Sequence, residues 1–413
     1  MRKIAIIGAG ISGLSIAQIL KNNHDVSVFE TEVRPGGMIK CDIVDGNLFH
    51  RTGGHVFNTK RQDVKEWFWS FFDKDNEFIN TVRNSAVHYV NKRDEETFIP
   101  YPIENHSYYF DETIQKEIIR DWLDIAGTQQ NSDNFEDFLR KRFGNTLYDI
   151  YFRPYNEKVW RNSLKNVPLD WLEGKLPMPS VEEMIFNNMN HIEEKNFVHS
   201  TFFYPIKGGS QFLANRLSEG LNIIYGKKIE RTYKENDKWI IDGNAYDSVI
   251  FCGNIKQLPS LLGDRISPYV SYIDDLKSHG TTAVFCEIDK NPYSWLYLPS
   301  QQHHSHRIIC TGNFSPSNNS DNKMTATIEF TDFISKEEII SELSFIPFNP
   351  HYLTHHYEKY TYPIQQKDTR EMISSINSDL MKDDFYLLGR FALWEYANMD
   401  VCMGMALDLA KKI

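Results

Sequence analysis

The sequence contains no long apolar run, no block of basic residues and no regular cysteine spacing. No stretch approaches the ~18 uninterrupted apolar residues of a membrane-spanning helix, which argues against a membrane span. The formal net charge is -11 and no segment is polybasic, which argues against nucleic acid as the main partner. Any anionic ligand must therefore be attracted by a local group of positive charges.

Cysteine usage argues against a disulfide framework. The cysteines are odd in number and lack CxxC spacing; they are Cys41, Cys252, Cys286, Cys310 and Cys402. This usage favours the reducing cytoplasm. Histidines cluster at His303, His304 and His306 and again at His355 and His356, in polar sequence without acids at helical spacing. We therefore expect solvated histidines and no metal site.

The chain is long and rich in aromatic residues. Its 413 residues predict two to three domains. Aromatic residues make up 14% of the chain, which suits a pocket for a flat cofactor or a sugar.

Hydrophobic periodicity predicts alternating helical and extended regions. A strand at 3–7, a helix at 11–22 and a strand at 26–30 form a βαβ unit. Helices at 113–126, 134–143 and 181–191 indicate an inserted helical domain. Strands at 222–233 and 238–252 lead back to the first domain, and alternation at 281–288, 307–311 and 324–331 indicates an antiparallel sheet. A strand at 385–388 and a helix at 399–411 complete the prediction.

The turn between the first strand and helix carries a dinucleotide-binding motif. Gly8, Gly10 and Gly13 permit the tight turn, the approach of a pyrophosphate and the packing of helix on strand. Ile11 and Ser12 open the helix, whose N-terminus favours phosphate. Glu30 ends the second strand, where a ribose hydroxyl needs an acceptor.

The residues after Glu30 favour FAD over NAD. Arg34, Gly36, Gly37 and Met38 resemble the extended motif of amine-oxidase-type FAD-binding proteins. The resemblance implies a second contact to the pyrophosphate and close approach to the ribityl chain.

Further segments resemble UDP-galactopyranose mutases, flavoenzymes that interconvert pyranose and furanose forms of a nucleotide sugar. Residues 53–59 (Gly-Gly-His-Val-Phe-Asn-Thr) are similar to the family's Gly-Pro-His-Ile-Phe-His-Thr, and residues 151–160 to its segment for base and sugar. Residues 204–209 (Tyr-Pro-Ile-Lys-Gly-Gly) resemble a family turn. Tyr362-Pro363-Ile364, Leu388–Phe391 and Tyr396–Val401 resemble its terminal motifs.

The resemblance implies a role for each matching residue. At the flavin it places Gly53, Gly54, His55, Ile229, Gly389, Arg390, Met399, Asp400 and Val401. At the substrate it places Asn80, Phe152, Tyr155, Trp160, Lys175 and Tyr396, with Phe152 and Tyr155 stacking the base and Lys175, Arg390 and Tyr396 at phosphates. His55, Arg390 and Tyr396 are the candidate catalytic residues.

The sequence departs from the family where the substrate's diphosphate is bound. Lys175 stands for the first of two family arginines, and Trp295 occupies the place of the second. Asn398 replaces an acid, and Phe330 a tyrosine in a strand of the third domain. Guanidinium binds phosphate bidentately, so the substrate's identity is open. Arg307 and Arg161 are candidates to compensate.

Together these features predict an α/β fold with a discontinuous Rossmann-type FAD-binding domain at 1–104, 200–260 and 360–413. An inserted helical domain spans 105–199, and an antiparallel β-sheet substrate layer spans 261–359. The expected activity is a mutase reaction that uses reduced FAD, a nucleotide sugar and an external reductant such as NAD(P)H or a reductase. A homodimer is one option for its assembly. The alternatives are a FAD-dependent oxidoreductase of the amine oxidase or protoporphyrinogen oxidase type, and a flavoprotein used only for binding.

Overall fold

The computed structural model describes residues 1–127, 131–167, 169, 179–192, 201–320 and 323–413. Its strands are β1 Lys3–Ile7, β2 Asp25–Phe29, β3 Cys41–Val44, β4 Asn47–His50, β5 Phe78–Val82, β6 Ser85–Val90, β7 Glu96–Pro100, β8 Thr201–Pro205, β9 Asn222–Ile224, β10 Tyr233–Glu235, β11 Lys238–Ile241, β12 Asn244–Tyr246, β13 Ser248–Phe251, β14 Ser278–Ile288, β15 Trp295–Tyr297, β16 Arg307–Ile309, β17 Met324–Thr331, β18 His351–Pro363 and β19 Phe385–Leu387. Its α-helices are α1 Ile11–Leu20, α2 Gln62–Trp69, α3 Lys74–Glu77, α4 Glu112–Ile125, α5 Phe135–Phe143, α6 Asn145–Leu147, α7 Arg153–Trp160, α8 Val181–Asn190, α9 Gly209–Ser218, α10 Leu258–Leu262, α11 Val270–Asp275, α12 Lys336–Glu342, α13 Thr369–Met381 and α14 Met399–Ala410.

A parallel sheet of five strands forms the first layer, in the order β19-β13-β1-β2-β9. Its central strand is apolar on both faces because helices cover both faces. Helices α1, α9 and α14 pack on one face, and α10, α11 and α13 pack on the other. This is the predicted Rossmann-type unit, assembled from both ends of the chain. The predicted strand over 222–233 is present only at its two ends, as β9 and β10.

A second sheet of seven strands has the order β18-β14-β17-β16-β15-β6-β7. All its neighbouring strands are antiparallel except β15 and β6, which are parallel. It takes β6 and β7 from within 1–104, and β18 extends beyond residue 359. The sheet therefore includes parts of two ranges that the sequence assigns to the FAD-binding domain, and the division into domains stays a prediction.

Strand β17 gives this sheet two different faces. Met324, Ala326, Ile328 and Phe330 join an apolar core on one face. Thr325, Thr327, Glu329 and Thr331 alternate with them and are also buried. We call the face that carries these four residues and Arg307 of β16, the cross-strand partner of Glu329, the polar sheet face.

The helical region contains the predicted helices, at α4, α5 and α8. Their apolar residues enclose a separate core around Trp122, Phe135 and Phe143. Ser180 caps α8 with a capping box, and Asp111 and Asn134 cap α4 and α5, which explains where these helices begin. Among the described residues, no helix has both the length and the apolarity needed to cross a membrane.

Candidate functional site

The glycine turn after β1 has the geometry that a dinucleotide requires. A Cβ atom on Gly13 would lie 1.9 Å from the carbonyl oxygen of Gly8, so helix α1 can approach the turn only with glycine there. The Glu30 carboxylate is buried and accepts hydrogen bonds from the backbone N–H groups of Ala9 at 2.8 Å and Glu32 at 2.9 Å. These contacts hold the acid at the C-terminal end of β2, beside the turn.

The extended motif folds back onto this turn. Gly36 donates its N–H to the Ala9 carbonyl at 2.8 Å, and a Cβ atom on Gly37 would lie 3.1 Å from Cα of Gly10. Arg34 is directed away from the turn, since its guanidinium donates to the Cys41 carbonyl at 2.7 Å and pairs with Asp42. Met38 contacts the next segment, because its carbonyl accepts a hydrogen bond from Thr52.

The C-terminal motif reaches the same place. Gly389 has φ +94°, and a Cβ atom there would lie 2.3 Å from Oγ of Ser12 in α1. Helix α14 begins at Met399 and packs against α1 in the same core. Burial raises the pKa of Asp400 in its first turn, whereas Val401 is exposed. The terminal motif therefore lies beside the glycine turn, although nearly the whole chain separates them.

The loop that carries His55 lies on the polar sheet face. Gly53 donates its N–H to the Glu329 carboxylate at 2.7 Å. A Cβ atom on Gly54 would lie 2.8 Å from Ile309 and 3.2 Å from Trp295. Trp295 is buried beneath this glycine, and the guanidinium of Arg83 lies 4.7 Å from its ring centroid. The tryptophan therefore supports the loop from below.

His55 and His50 are adjacent rings with different partners. Nε2 of His55 is buried with no hydrogen-bond partner among the described residues. Burial, with the nearby charge of Arg390, lowers the pKa of His55 to about 4. The ring centroid of His50 lies 5.9 Å from that of His55. Nδ1 of His50 accepts a hydrogen bond from the His55 backbone N–H, and Nε2 of His50 lies 2.7 Å from the Tyr204 hydroxyl. His55 is therefore neutral at pH 7, with one buried ring nitrogen that has no hydrogen-bond partner among the described residues.

Charged and aromatic residues from four segments meet above the polar sheet face; we call them the arginine cluster. Its members are Arg307, Glu329, Tyr362, Arg390 and Tyr396. Arg307 pairs with the Glu329 carboxylate and donates to the Tyr362 hydroxyl at 2.8 Å. The guanidinium of Arg390 lies 5.0 Å from the Tyr362 ring and 4.4 Å from the Tyr396 ring. It donates to the Thr361 carbonyl at 2.5 Å.

Electrostatics within the arginine cluster fix its ionisation. Burial disfavours the Glu329 carboxylate, but the charge of Arg307 and the hydrogen bond from His306 outweigh it and lower its pKa. Burial raises the pKa of Tyr362, and the positive charge of Arg307 opposes that shift. At pH 7 the cluster contains two cations and one anion, which is the local positive charge that an acidic chain needs to bind an anion.

Of the predicted substrate residues, Tyr396 belongs to this cluster, and Tyr155 is linked to it through Tyr297. The Tyr155 ring meets that of Tyr297 at 5.4 Å, and Tyr297 is the cross-strand neighbour of Arg307. Phe152 is buried, with its ring 4.4 Å from that of Phe143. Trp160 lines a cavity of about 120 Å³ with Arg161 and His279.

Asn80 and Ile229, two further predicted residues, lie on other parts of the fold. Asn80 is on β5, paired with Phe203 of β8, and is exposed. Ile229 packs against the core that contains Phe29, on the side of the parallel sheet near Glu30. Lys175 lies outside the described residues. The roles of these residues stay predictions.

One sequence-based expectation needs correction. His303 and His306 were expected to be solvated, but both are buried, and Nε2 of His306 lies 3.7 Å from the Glu329 carboxylate. They lie near Lys158, which donates to the carbonyls of Leu298 and Ser305 at 2.9 Å and whose pKa burial lowers to about 7. Phe330, which the resemblance places where the family has a tyrosine, belongs to the apolar core on the opposite face because strand alternation directs it there. Its correspondence to that tyrosine stays a prediction.

Sequence reasoning missed Glu329 and His50, and named Arg307 without placing it. A signal for Glu329 was present, since polar residues occupy alternate positions of a strand in Thr325, Thr327, Glu329 and Thr331. A strand that is polar on one face and still buried on both must face something polar. His50 had no comparable signal.

The residues at the glycine turn and around His55 fit FAD. Nε2 of His55 and Nε of Arg390 are buried and have no partner among the described residues, which suits groups that bind a polar cofactor. A Cβ atom on Gly10 would lie 3.8 Å from Cα of Gly37 and near no other described atom, which leaves room for a pyrophosphate to approach the backbone. Glu30 is placed for a ribose hydroxyl.

Comparison with known proteins supports this arrangement. Residues 6–74 match the NAD(P)-binding Rossmann-like domain. The chain is 24% identical to dTDP-fucopyranose mutase of Escherichia coli, over 100% of this chain and 98% of that protein. It is 41% identical to UDP-galactopyranose mutase of Mycoplasma genitalium over 76 residues, 18% of this chain and 19% of that protein.

A solved structure extends the comparison to the whole fold. The crystal structure of reduced UDP-galactopyranose mutase superposes with a TM-score of 0.87 at 20% identity, covering 100% of this chain and 93% of that one. The chain has the fold of UDP-galactopyranose mutase. The predicted α/β architecture and the resemblance to the mutases are thereby confirmed.

Proposed function

We propose that this chain is a FAD-dependent mutase that interconverts the pyranose and furanose forms of a sugar bound to a nucleoside diphosphate. One observation carries the proposal: within a mutase-like fold, Arg390, Tyr362 and Tyr396 form a positive, aromatic site next to His55. The full-length similarity to a dTDP-fucopyranose mutase supports the reaction class.

Bound in its reduced form, FAD would supply nucleophilic chemistry toward the anomeric carbon of the sugar. The chain's own residues bind and orient the reactants. Glu30 would accept a hydrogen bond from the cofactor's ribose, and the N-terminus of α1 would stabilise its phosphates. The second helix N-terminus, at Met399, favours negative charge on the cofactor side of the site.

His55 and Arg390 act at the reacting end of the site. Burial holds His55 neutral. Its unpartnered Nε2 can therefore form a hydrogen bond with the cofactor without adding a second positive charge beside Arg390. Arg390 is fixed by the Thr361 carbonyl and by two tyrosine rings, and its charge stabilises the departing diphosphate. Tyr155 stacks the base at the other end.

Ligand binding by the purified flavoprotein tests the proposal. UDP, dTDP and their sugar conjugates are titrated into oxidised and dithionite-reduced protein while flavin fluorescence is followed. Chromatography of the reduced sample then detects conversion of pyranose to furanose. We expect one nucleotide sugar to bind more tightly to the reduced protein and to be isomerised.

Arg390→Lys and the remote Arg265→Lys provide a matched pair. Arg265 forms ion pairs with Asp379 and Asp383 on the far side of the parallel sheet. We expect a loss of turnover of about 100-fold or more in the first variant and none in the second. Absence of any response to nucleotides, together with flavin reduction by an amine, would favour the oxidoreductase. The external reductant, the homodimer and the role of Lys175 are part of the same proposal.

A further inference from the structure

We propose that Lys158 is a positioning residue for the base end of the substrate. It acts by holding helix α7, which carries Tyr155, against the two strands that carry Tyr297 and Arg307. The inference rests on the proposed function and deepens it, because it assigns the placement of the base-stacking tyrosine to a buried lysine. Three observations support it: the burial of Lys158, its hydrogen-bond acceptors and the position of Tyr155 on the same helix.

Helix α7 is anchored by a charged residue. Lys158 is buried, whereas the other residues of this helix, all of them described, are partly or fully exposed. A helix that packs on a sheet normally buries apolar side chains instead. The lysine loses hydration at this position, and burial lowers its pKa to about 7. A group that is unfavourable to bury therefore occupies the one buried position of the helix, which indicates that its N–H donors are needed there.

The donors of Lys158 hold both ends of the connection between β15 and β16. Nζ donates to the carbonyls of Leu298 and Ser305, each at 2.9 Å. Leu298 directly follows Tyr297, the last residue of β15, and Ser305 lies close to Arg307, the first residue of β16. One side chain therefore ties α7 both to the strand residue that faces its tyrosine and to the arginine cluster.

Tyr155 depends on this attachment because it lies one turn before Lys158 in α7. The Tyr155 ring meets the Tyr297 ring edge-on, at an interplanar angle of 83°. Since Lys158 holds the residue next to Tyr297, it fixes the separation between these two rings. A shift of α7 would move Tyr155 relative to the arginine cluster, and a nucleotide could no longer contact both at once.

Two longer hydrogen bonds supplement the lysine. Oγ1 of Thr331 on the polar sheet face donates to the Val159 carbonyl at 3.3 Å, and the exposed Gln301 donates to the Pro154 carbonyl at 3.3 Å. Without the donors of Lys158, α7 would remain attached by these two contacts but would be held less precisely.

Backbone carbonyls, and not an ion pair, hold Lys158. Among the described residues no carboxylate lies within 4.0 Å of its Nζ, and Glu342 of α12, whose charge raises the lysine's pKa, pairs with His304. The neighbouring His303 and His306 are buried, and burial lowers the pKa of both. The contribution of Lys158 is therefore directional hydrogen bonding, which suits a residue that sets the position of a helix.

Equilibrium binding to the flavin-loaded protein tests the assignment. UDP, dTDP and inorganic pyrophosphate are titrated into wild type, Lys158→Met and Lys158→Arg, with the exposed Lys116→Met of α4 as control. Methionine fills much of the lysine's space without donors, and arginine restores donors. We expect Lys158→Met to bind UDP and dTDP about 10-fold more weakly, with pyrophosphate affinity unchanged. Lys158→Arg should regain part of the loss, and the control should match wild type.

Turnover separates positioning from chemistry and from folding. For the nucleotide sugar that wild type isomerises, Lys158→Met should raise KM about 10-fold and leave kcat within about 3-fold of wild type. Circular dichroism and flavin content show that the variant is folded. Thr331→Val removes one of the supplementary hydrogen bonds and should raise KM by about 3-fold in the same way, which keeps the test available if the methionine variant does not fold.

Each outcome decides the matter. Equal affinity for UDP and dTDP in wild type and Lys158→Met overturns the assignment while leaving the proposed function intact. So does an equal loss for pyrophosphate and nucleotide, a fall in kcat at unchanged KM, or an arginine variant as weak as the methionine variant. Wild type that binds neither UDP nor dTDP overturns the proposed function and the assignment together.

Discussion

Single residues in this site show how burial sets ionisation. Glu329 is almost fully buried, and an isolated carboxylate there would be neutral. It remains ionised because Arg307, His306 and the N–H of Gly53 surround it. Removing one partner of such a pair leaves the other buried and uncompensated, which is more destabilising than removing both.

Glu329→Gln is therefore expected to be strongly destabilising. It leaves Arg307 without its counter-charge, and we expect the free energy of unfolding to fall by about 3–5 kcal/mol. Urea denaturation measures the change. Glu337→Gln, at an exposed position of α12, is the control and should change stability by less than about 0.5 kcal/mol. A Glu329 variant as stable as this control would contradict the buried ion pair.

His50 gives the site a pH dependence of stability. Burial, with the neighbouring His55, lowers the pKa of His50 in the folded state to about 3, against about 6.5 in the unfolded chain. Between these values the unfolded chain binds a proton that the folded protein does not. Above pH 6.5, His50 therefore does not lower the free energy of unfolding. Below that pH, the free energy of unfolding falls as the pH is lowered.

His50→Gln should flatten this fall. The glutamine cannot be protonated, so the slope of unfolding free energy against pH should drop by up to about 1.4 kcal/mol per pH unit between pH 6 and 4. Urea denaturation at several pH values gives the slope. The exposed His351→Gln should retain the wild-type slope. An unchanged slope in the His50 variant would show that His50 does not stay neutral in the folded protein.

At the scale of elements, turns and strand faces determine what the site can bind. The glycine turn joins β1 to α1, and its residues Gly13 and Gly10 need to be glycine for different reasons. Gly13 is required by the fold itself, because a Cβ atom would lie 1.9 Å from the Gly8 carbonyl. At Gly10 a Cβ atom would lie 3.8 Å from Cα of Gly37, so an alanine fits the protein but occupies space near the cofactor.

The two glycines should therefore respond differently to alanine. Gly13→Ala is expected to lower stability by about 1–3 kcal/mol or to prevent folding, since α1 must move. Gly10→Ala should lose less than about 1 kcal/mol but retain little FAD after purification. Urea denaturation and the ratio of flavin to protein absorbance separate the effects. Full flavin content in Gly10→Ala would contradict the proposed pyrophosphate position.

At the scale of the whole molecule, the cofactor site joins the two ends of the chain. The parallel sheet places β1 beside β13 and β13 beside β19, so the glycine turn near residue 10 meets Gly389 and α14. FAD bound there would contact both ends. Its binding energy should therefore stabilise the complete domain rather than one segment.

FAD is expected to raise the free energy of unfolding by about 2.7 kcal/mol when present at 100 times its dissociation constant. Gly389→Ala should lose this gain, because its Cβ atom would lie 2.3 Å from Oγ of Ser12. Gly263→Ala is the matched control, since Gly263 also has positive φ, at +53°, but a Cβ atom there would meet no atom of the described residues within 4 Å. Thermal unfolding with and without FAD measures both. Equal gains in the two variants would contradict the contact.

Features that depend on neighbours in the chain could be predicted from the sequence. The glycine spacing and apolar strand predicted the βαβ unit, because these residues must pack within about thirty positions. Periodicity predicted α4, α5 and α8 to within one or two residues, since each helix has one apolar face. The terminal motif was recognised by its resemblance to the mutases.

The composition of the site depended on contacts between distant segments. Strand register places Arg307 opposite Glu329, and the long β18 brings Tyr362 to both. His306 and Trp295 are buried because segments distant in the chain cover them. The type of residue alone does not predict such burial. By itself the sequence determined the cofactor fold, because that motif is local. Only the tertiary structure decided which cations face the ligand, because charge positions depend on sheet register.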